Sequence, residues 1–196
     1  MAERKRPTPE QLAAYFAKAL DETAGEGSDD TGVLFFGDSD ISNWDVGSSF
    51  PGLRLQRCGV GGAQMSHIAA FTPTAMERYR GLTAVVVVAG ENDLPSLTAA
   101  ETFVFFQAFL AAVREGKGSE LPVFYISTKP EPRTEKIHGK YAEYDELIRA
   151  VADPNLVVVG GWEDFRHAGT DETNPALFAD DSAHASAWLS FASLAD

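Results

Sequence analysis

The stretch TAVVVVAG, from Thr83 to Gly90, is apolar at every position between Ala84 and Ala89. A strand without a polar side is covered on both faces, which is typical of the centre of a parallel sheet. Four further apolar or β-branched runs are candidate strands of the same sheet: Val33–Phe36, Leu53–Gln56, Leu121–Ser127 and 155–161.

Helical patterns separate these strands. The first, TPEQLAAYFAKALDE, begins with Thr8 as N-cap, Pro9 at the first helical position and Gln11 completing a capping box. Further helices are predicted at 65–79, at 98–116 with Gly116 ending the helix, at 138–153, and after His184. Strands alternating with helices predict an α/β fold, with helices on both faces of a mainly parallel five-stranded sheet.

The length of 196 residues predicts a single globular domain. Within it, residues 1–30 form an N-terminal amphipathic helix and loop, and residues 31–196 form the α/β domain. The net charge of −13 argues against nucleic acid and anionic membrane surfaces as partners. One cysteine excludes an intrachain disulfide, and no basic N-terminal run leads into an apolar segment. We therefore expect a soluble cytoplasmic protein, with secretion after removal of a leader as the alternative.

Ligands of parallel sheets bind at the carboxyl ends of the strands, so the loops there decide the function. The first loop holds Gly37-Asp38-Ser39 directly after an apolar strand. This pattern fits a plain turn, since these are common turn residues. It also fits a serine nucleophile presented at the end of a strand, with its own N–H aimed at an oxyanion.

The next two loops contain candidate oxyanion donors. CGVGGAQ, from Cys58 to Gln64, resembles a dinucleotide fingerprint but has Gln64 at the sixth position, where Gly or Ala is required. Its glycines instead let a backbone N–H approach a substrate oxygen. The loop after the central strand contains Asn92, whose amide is either an oxyanion donor or a cap of the next segment.

The last loop contains Asp181 and His184, three residues apart. Within one turn this spacing lets Asp181 orient His184 as the base for a serine from elsewhere. A surface Asp-His pair and half of a metal site are the alternatives. No further ligand cluster has metal-binding spacing, so no metal or cofactor is expected.

Taken together, Gly37-Asp38-Ser39, Gly62, Gly90-x-Asn92-Asp93 and Asp181-x-x-His184 resemble the four blocks of the SGNH, or GDSL-type, hydrolases. These are esterases and lipases on a flavodoxin-like three-layer α/β/α sandwich. The resemblance covers the chain from Val33 to about Trp188, with the blocks in order. It implies Ser39 as nucleophile, His184 as general base and Asp181 as its orienting acid. The implied oxyanion hole consists of the Ser39 N–H, the Gly62 N–H and the Asn92 side chain.

The resemblance implies a small-molecule ester as substrate, either a small acyl ester or an O-acetyl group of a carbohydrate. Candidate substrate-binding residues are Asp38, Asp40, Lys129 and Arg133. Asp40 stands where the family has a hydrophobic residue, and an extra carboxylate there raises the pKa of the base or repels anionic substrates.

The sequence around His184 also departs from the family pattern: Ser186 and Leu189-Ser190 replace the usual residues, and Asp180 is a second candidate for orienting the base. A catalytically weakened relative that binds an acylated or sugar ligand is therefore the main alternative. A nucleotide- or flavin-binding flavodoxin-like protein is the third.

Overall fold

A computed structural model describes residues 8–23, 31–160 and 165 of the chain. Within these ranges the strands are β1 (Thr31–Gly37), β2 (Leu55–Gly59), β3 (Gly81–Val88), β4 (Val123–Ile126) and β5 (Leu156–Val159). The helices are α1 (Pro9–Thr23), α2 (Ser39–Asn43), α3 (Val46–Ser49), α4 (Met65–Arg78), α5 (Ala99–Lys117) and α6 (His138–Arg149), with a 3₁₀ helix at Pro132–Ile137. None of the helices in these ranges combines the length and apolarity that a membrane crossing requires.

The five strands form one parallel sheet in the order β2-β1-β3-β4-β5. The predicted α/β architecture is confirmed. Alternate residues of the strands serve two separate apolar layers, as a strand period of two requires. One layer packs under α1, α4, α5 and α6, and the other under α2 and α3.

Helix α1 is capped as the sequence predicts. The Thr8 N–H donates to Gln11 Oε1 (2.9 Å), and the Gln11 N–H donates to Thr8 Oγ1 (3.3 Å). The apolar side of the helix then enters the larger core, where the Phe16 ring lies edge-on to Phe36, with centroids 5.7 Å apart. Cys58 of β2 is buried beneath it, with its thiol 3.9 Å from the Phe16 carbonyl oxygen. The N-terminal helix is therefore part of the core that supports the sheet.

Several element ends differ from the prediction, and contacts explain two of them. Strand β2 begins at Leu55, because Leu53 is exposed in a turn and parallel pairing starts where Leu55 meets Val33. Helix α5 passes through Gly116 and ends at Lys117, and its C-cap is Gly118, which has φ +83° and donates its N–H to the Arg114 carbonyl (2.8 Å). At Gly116 a Cβ would lie 2.7 Å from Met76 Cβ, so this glycine permits close packing of α5 on α4.

Candidate active site

The carboxyl ends of three neighbouring strands are level, which brings their loops together. Gly37, the last residue of β1, pairs with Gly59 of β2 on one side and Val88 of β3 on the other. From this point the chain leaves β1 toward one sheet edge and β3 toward the other. In this strand order the crevice between β1 and β3 is where ligands bind.

Ser39 lies at this crevice, on the first residue of α2. Asp38 caps the helix, since its Oδ1 accepts a hydrogen bond from the Asp40 N–H (3.0 Å). Asp38 and Asp40 are buried, whereas Ser39 between them is partly exposed. The backbone at this turn therefore directs the carboxylates of Asp38 and Asp40 inward and leaves Ser39 accessible.

Gly37 and Gly59 allow α2 to pack closely against the ends of the strands. A Cβ on Gly37 would lie 2.3 Å from the Val88 carbonyl oxygen. A Cβ on Gly59 would lie 2.3 Å from the Ser42 backbone nitrogen. Any other residue at either position would collide with backbone, so the glycines allow α2 to rest directly on the strand ends.

Asn92 joins the loop after β3 to the serine turn. Its Nδ2 donates to Asp38 Oδ2 (3.1 Å) and to the Ala63 carbonyl (2.9 Å). The structure thus brings Asn92 to the residue next to Ser39. Because those two acceptors engage both N–H bonds of the amide, Asn92 donates to a third acceptor only by sharing or exchanging one of them.

Gly62 lies in the neighbouring loop, which is held to the sheet by a hydrogen bond from the Val60 N–H to the Gly37 carbonyl (3.0 Å). Gly62 is exposed, with φ +76°, a conformation that favours glycine. The adjacent Ala63 accepts from Asn92. The three predicted oxyanion residues therefore stand on three loops that are bonded to one another or to the same strand end.

A buried charge cluster lies beside the serine turn. The Lys129 side chain, which follows β4, is only 2% exposed. Its Nζ lies 2.7 Å from Asp40 Oδ2, 2.6 Å from Glu91 Oε2 and 3.3 Å from Glu131 Oε1. Arg133, with its side chain 64% exposed, also pairs with Glu131. The carboxylate of Asp40, predicted to act on the base or on substrate, therefore faces a compensating internal cation.

Burial and these neighbours shift several pKa values. Burial raises the pKa of Asp38 well above its usual range, and Asp40 raises it further. Burial raises the pKa of Glu91 to about 7, against the opposing effect of Lys129. Burial lowers the pKa of Lys129, but the surrounding carboxylates outweigh it and hold that pKa well above its usual range. Lys129 thus stays charged at neutral pH, where Glu91 titrates.

Of the four candidate substrate-binding residues, Asp38, Asp40 and Lys129 have internal partners, and Arg133 reaches the surface. Their predicted contact with substrate stays a prediction. Sequence reasoning missed Glu91 and Glu131 as partners of Lys129. The available signal was one lysine after β4 and acids after β1 and β3, at strand ends that a parallel sheet brings together.

Comparison with known proteins bears on the fold. No family profile and no curated protein match the chain, but solved structures do. A GDSL-like lipase from Bacteroides thetaiotaomicron superposes with a TM-score of 0.70 at 18% identity, covering 94% of this chain and 96% of that one. The lipase Lip_vut3 from a goat rumen metagenome gives 0.60 at 16%, covering 83% and 95%. AlinE4, an SGNH-hydrolase family esterase, gives 0.56 at 19%, covering 75% and 84%.

The chain has the SGNH-hydrolase fold. The resemblance predicted from the four sequence blocks is confirmed at the level of the fold. Within this fold, Ser39, Gly62 and Asn92 stand around the crevice at the strand ends. The predicted base His184 and its candidate orienting acids Asp181 and Asp180 lie outside the described residues.

The described ranges contain no group of three His, Cys, Asp or Glu side chains able to hold a metal ion. The three carboxylates of Asp40, Glu91 and Glu131 surround the Lys129 ammonium. The acids there neutralise a cation that the chain supplies itself.

Proposed function

We propose that this protein is a serine esterase that hydrolyses carboxylic esters at the crevice between β1 and β3. The observation that carries the proposal is the Asn92–Asp38 hydrogen bond, which sets an amide donor beside the partly exposed Ser39. A nucleophile next to a fixed donor is the minimal requirement for acyl transfer. The esterases and lipases that share the fold support the same reaction class.

In the proposed mechanism, Ser39 Oγ attacks the ester carbonyl while His184, oriented by Asp181, takes its proton. The carbonyl oxygen becomes an oxyanion that receives hydrogen bonds from the Ser39 N–H, the Gly62 N–H and Asn92. The intermediate collapses, the ester C–O bond breaks, and His184 protonates the leaving alcohol. Water then attacks the acyl-enzyme with His184 again as base, which releases the acid and restores Ser39.

The proposed substrates are small acyl esters or O-acetyl groups of carbohydrates. No step requires a metal or cofactor. Asp38 belongs to this machinery as a positioning residue, because its two oxygens hold the Asp40 N–H and the Asn92 amide. The oxyanion would compete with Asp38 and Ala63 for the amide hydrogens, so transition-state stabilisation by Asn92 depends on exchanging one of these bonds.

One observation favours the second candidate, a relative that binds an acylated or sugar ligand without efficient turnover. Both hydrogens of the Asn92 amide are already engaged, so the donor is not free for an oxyanion in this structure. A site in which this arrangement persists with ligand would bind an ester but stabilise its tetrahedral intermediate poorly.

The test is hydrolysis of p-nitrophenyl acetate and butyrate by wild type, Ser39→Ala and His184→Ala across pH 5 to 9, with fluorophosphonate labelling in parallel. Ser42→Ala, on the same short helix, is the matched control. We expect activity that rises through a pKa of about 6.5, as for a histidine base, and disappears in both site variants. A wild-type activity no higher than that of Ser39→Ala would overturn the proposal of a serine esterase. Ligand binding without labelling would favour the second candidate.

A further inference from the structure

Lys129 connects the two loops that carry the proposed reacting groups. Its ammonium contacts Asp40, one residue after Ser39, at 2.7 Å, and Glu91, one residue before Asn92, at 2.6 Å. The Lys129 backbone N–H also donates to the second oxygen of Glu91 (2.7 Å). Charge-assisted bonds of this length are the strongest that side chains form in proteins.

These bonds reach the serine turn from the β4 side. Helix α2 has only five residues, so it gains little rigidity from its own hydrogen bonds. Its first turn is held from the β3 side by the Asn92–Asp38 bond and from the β4 side by the Lys129–Asp40 ion pair. The two restraints lie on residues that flank Ser39 in the sequence.

We propose that Lys129 is a positioning residue for catalysis: its ion pair with Asp40 and its hydrogen bonds to Glu91 fix the Ser39 turn relative to the Asn92 loop. The inference rests on the proposed function, since it presumes that Ser39 reacts and Asn92 stabilises the oxyanion. The inference assigns Lys129 an indirect role, because its side chain is buried and surrounded by carboxylates. Its effect reaches the reaction through the two residues it holds.

This role predicts a kinetic change distinct from a loss of stability. When the turn loses its restraint, Ser39 still binds substrate but is less often aligned with the carbonyl, so kcat falls while KM changes little. Misplacement of reacting groups by about 1 Å costs up to about 100-fold in rate. A lysine that only stabilised the fold would leave kcat per folded molecule unchanged.

The test is a double-mutant cycle with Asp40→Ala, Lys129→Met and the double variant, measured by ester hydrolysis, fluorophosphonate labelling and urea unfolding. We expect each single variant to lower kcat by about tenfold or more with KM within about twofold. The double variant should lose no more than Lys129→Met alone, because both changes remove the same ion pair. Losses that multiply in the double variant would overturn the inference.

Arg114→Met is the matched control for loss of a partly buried ion pair. Arg114 Nε lies 2.8 Å from Asp153 Oδ2, near the amino ends of β4 and β5 and far from the crevice in the sheet. The Arg114→Met variant should be less stable than wild type but keep the wild-type kcat. If Lys129→Met does not fold, Asp40→Ala decides, since Glu91 and Glu131 still compensate Lys129 in that variant.

The two proposals fail in different ways. A wild-type protein that neither hydrolyses esters nor labels at Ser39 overturns the proposed function, and this inference with it. A wild type that does both, with Asp40→Ala and Lys129→Met reacting at the wild-type rate, overturns the positioning role alone.

Discussion

Replacing Gly59 by alanine tests how closely the serine helix must rest on the sheet. A Cβ at this position would lie 2.3 Å from the Ser42 backbone nitrogen and 2.6 Å from the Ile41 carbonyl carbon. Ordinary van der Waals contact begins at 3.4 Å. Because both neighbours are backbone atoms, no side-chain rotation relieves the clash, and α2 must retreat by about 1 Å.

The magnitudes follow from that displacement. Overpacking of this kind lowers the free energy of unfolding by about 1–3 kcal/mol. The smaller conformational freedom of alanine in the unfolded chain raises it by about 0.4–1 kcal/mol. We therefore expect Gly59→Ala to lower the free energy of unfolding by about 1 kcal/mol, and by at most about 2.5 kcal/mol, in urea titration. The same 1 Å shift of Ser39 should lower kcat/KM for a p-nitrophenyl ester by up to about 100-fold.

Gly61→Ala is the control, because a Cβ there meets nothing within 4 Å. Its free energy of unfolding should equal that of wild type or exceed it by up to about 1 kcal/mol, because only the effect on the unfolded chain remains. The reasoning is refuted if Gly59→Ala matches Gly61→Ala in both stability and kcat/KM. If Gly59→Ala loses stability but keeps the wild-type kcat/KM, the close packing of α2 is supported and the role of Ser39 in the reaction is contradicted.

Two further changes test the charge cluster and a helix end. Because burial raises the pKa of Glu91 from its ordinary 4.5 to about 7, its contribution to stability is complete below pH 4.5 and is lost as the pH rises through 7. In urea unfolding, wild type should therefore lose stability relative to Glu91→Gln over this range, and a difference that stays constant with pH would contradict the shift. Thr98→Ala removes the capping box of α5, in which Thr98 Oγ1 accepts from the Glu101 N–H (3.2 Å) and Glu101 Oε2 accepts from the Thr98 N–H (2.8 Å). It should cost about 1 kcal/mol and lower Tm by about 2–4 °C in a calorimetric scan, whereas an unchanged Tm would show that the cap is dispensable.

The architecture and the placement of Ser39 and Asn92 at one edge of the sheet could be predicted from sequence because their signals are local. The run of valines in β3 has no polar side, so it had to be central. Ser39 and Asn92 each lie within four residues of a strand end, and parallel strands bring such residues to one edge. Neither inference needed knowledge of which side chains touch across the sheet.

The remaining features depend on contacts between distant parts of the chain. Gly116 and Gly118 look alike in sequence, and only the approach of Met76 shows that the first is a packing position and the second the helix end. Lys129 and Asp40 are far apart in sequence, and no periodicity predicts the course of the segments after β4 and β1 in which they lie. A lysine flanked by polar and proline residues in a loop is usually exposed, so its burial was not foreseeable.

The packing of α1 over Cys58 makes the only thiol of the chain a built-in reporter. Burial raises the pKa of that thiol to about 12, so it is protonated and shielded from alkylating reagents at neutral pH. Alkylation then requires α1 to leave the sheet, and its rate measures how often that opening occurs. The undocking of the N-terminal helix can thus be followed in the unmodified protein, independently of any substrate.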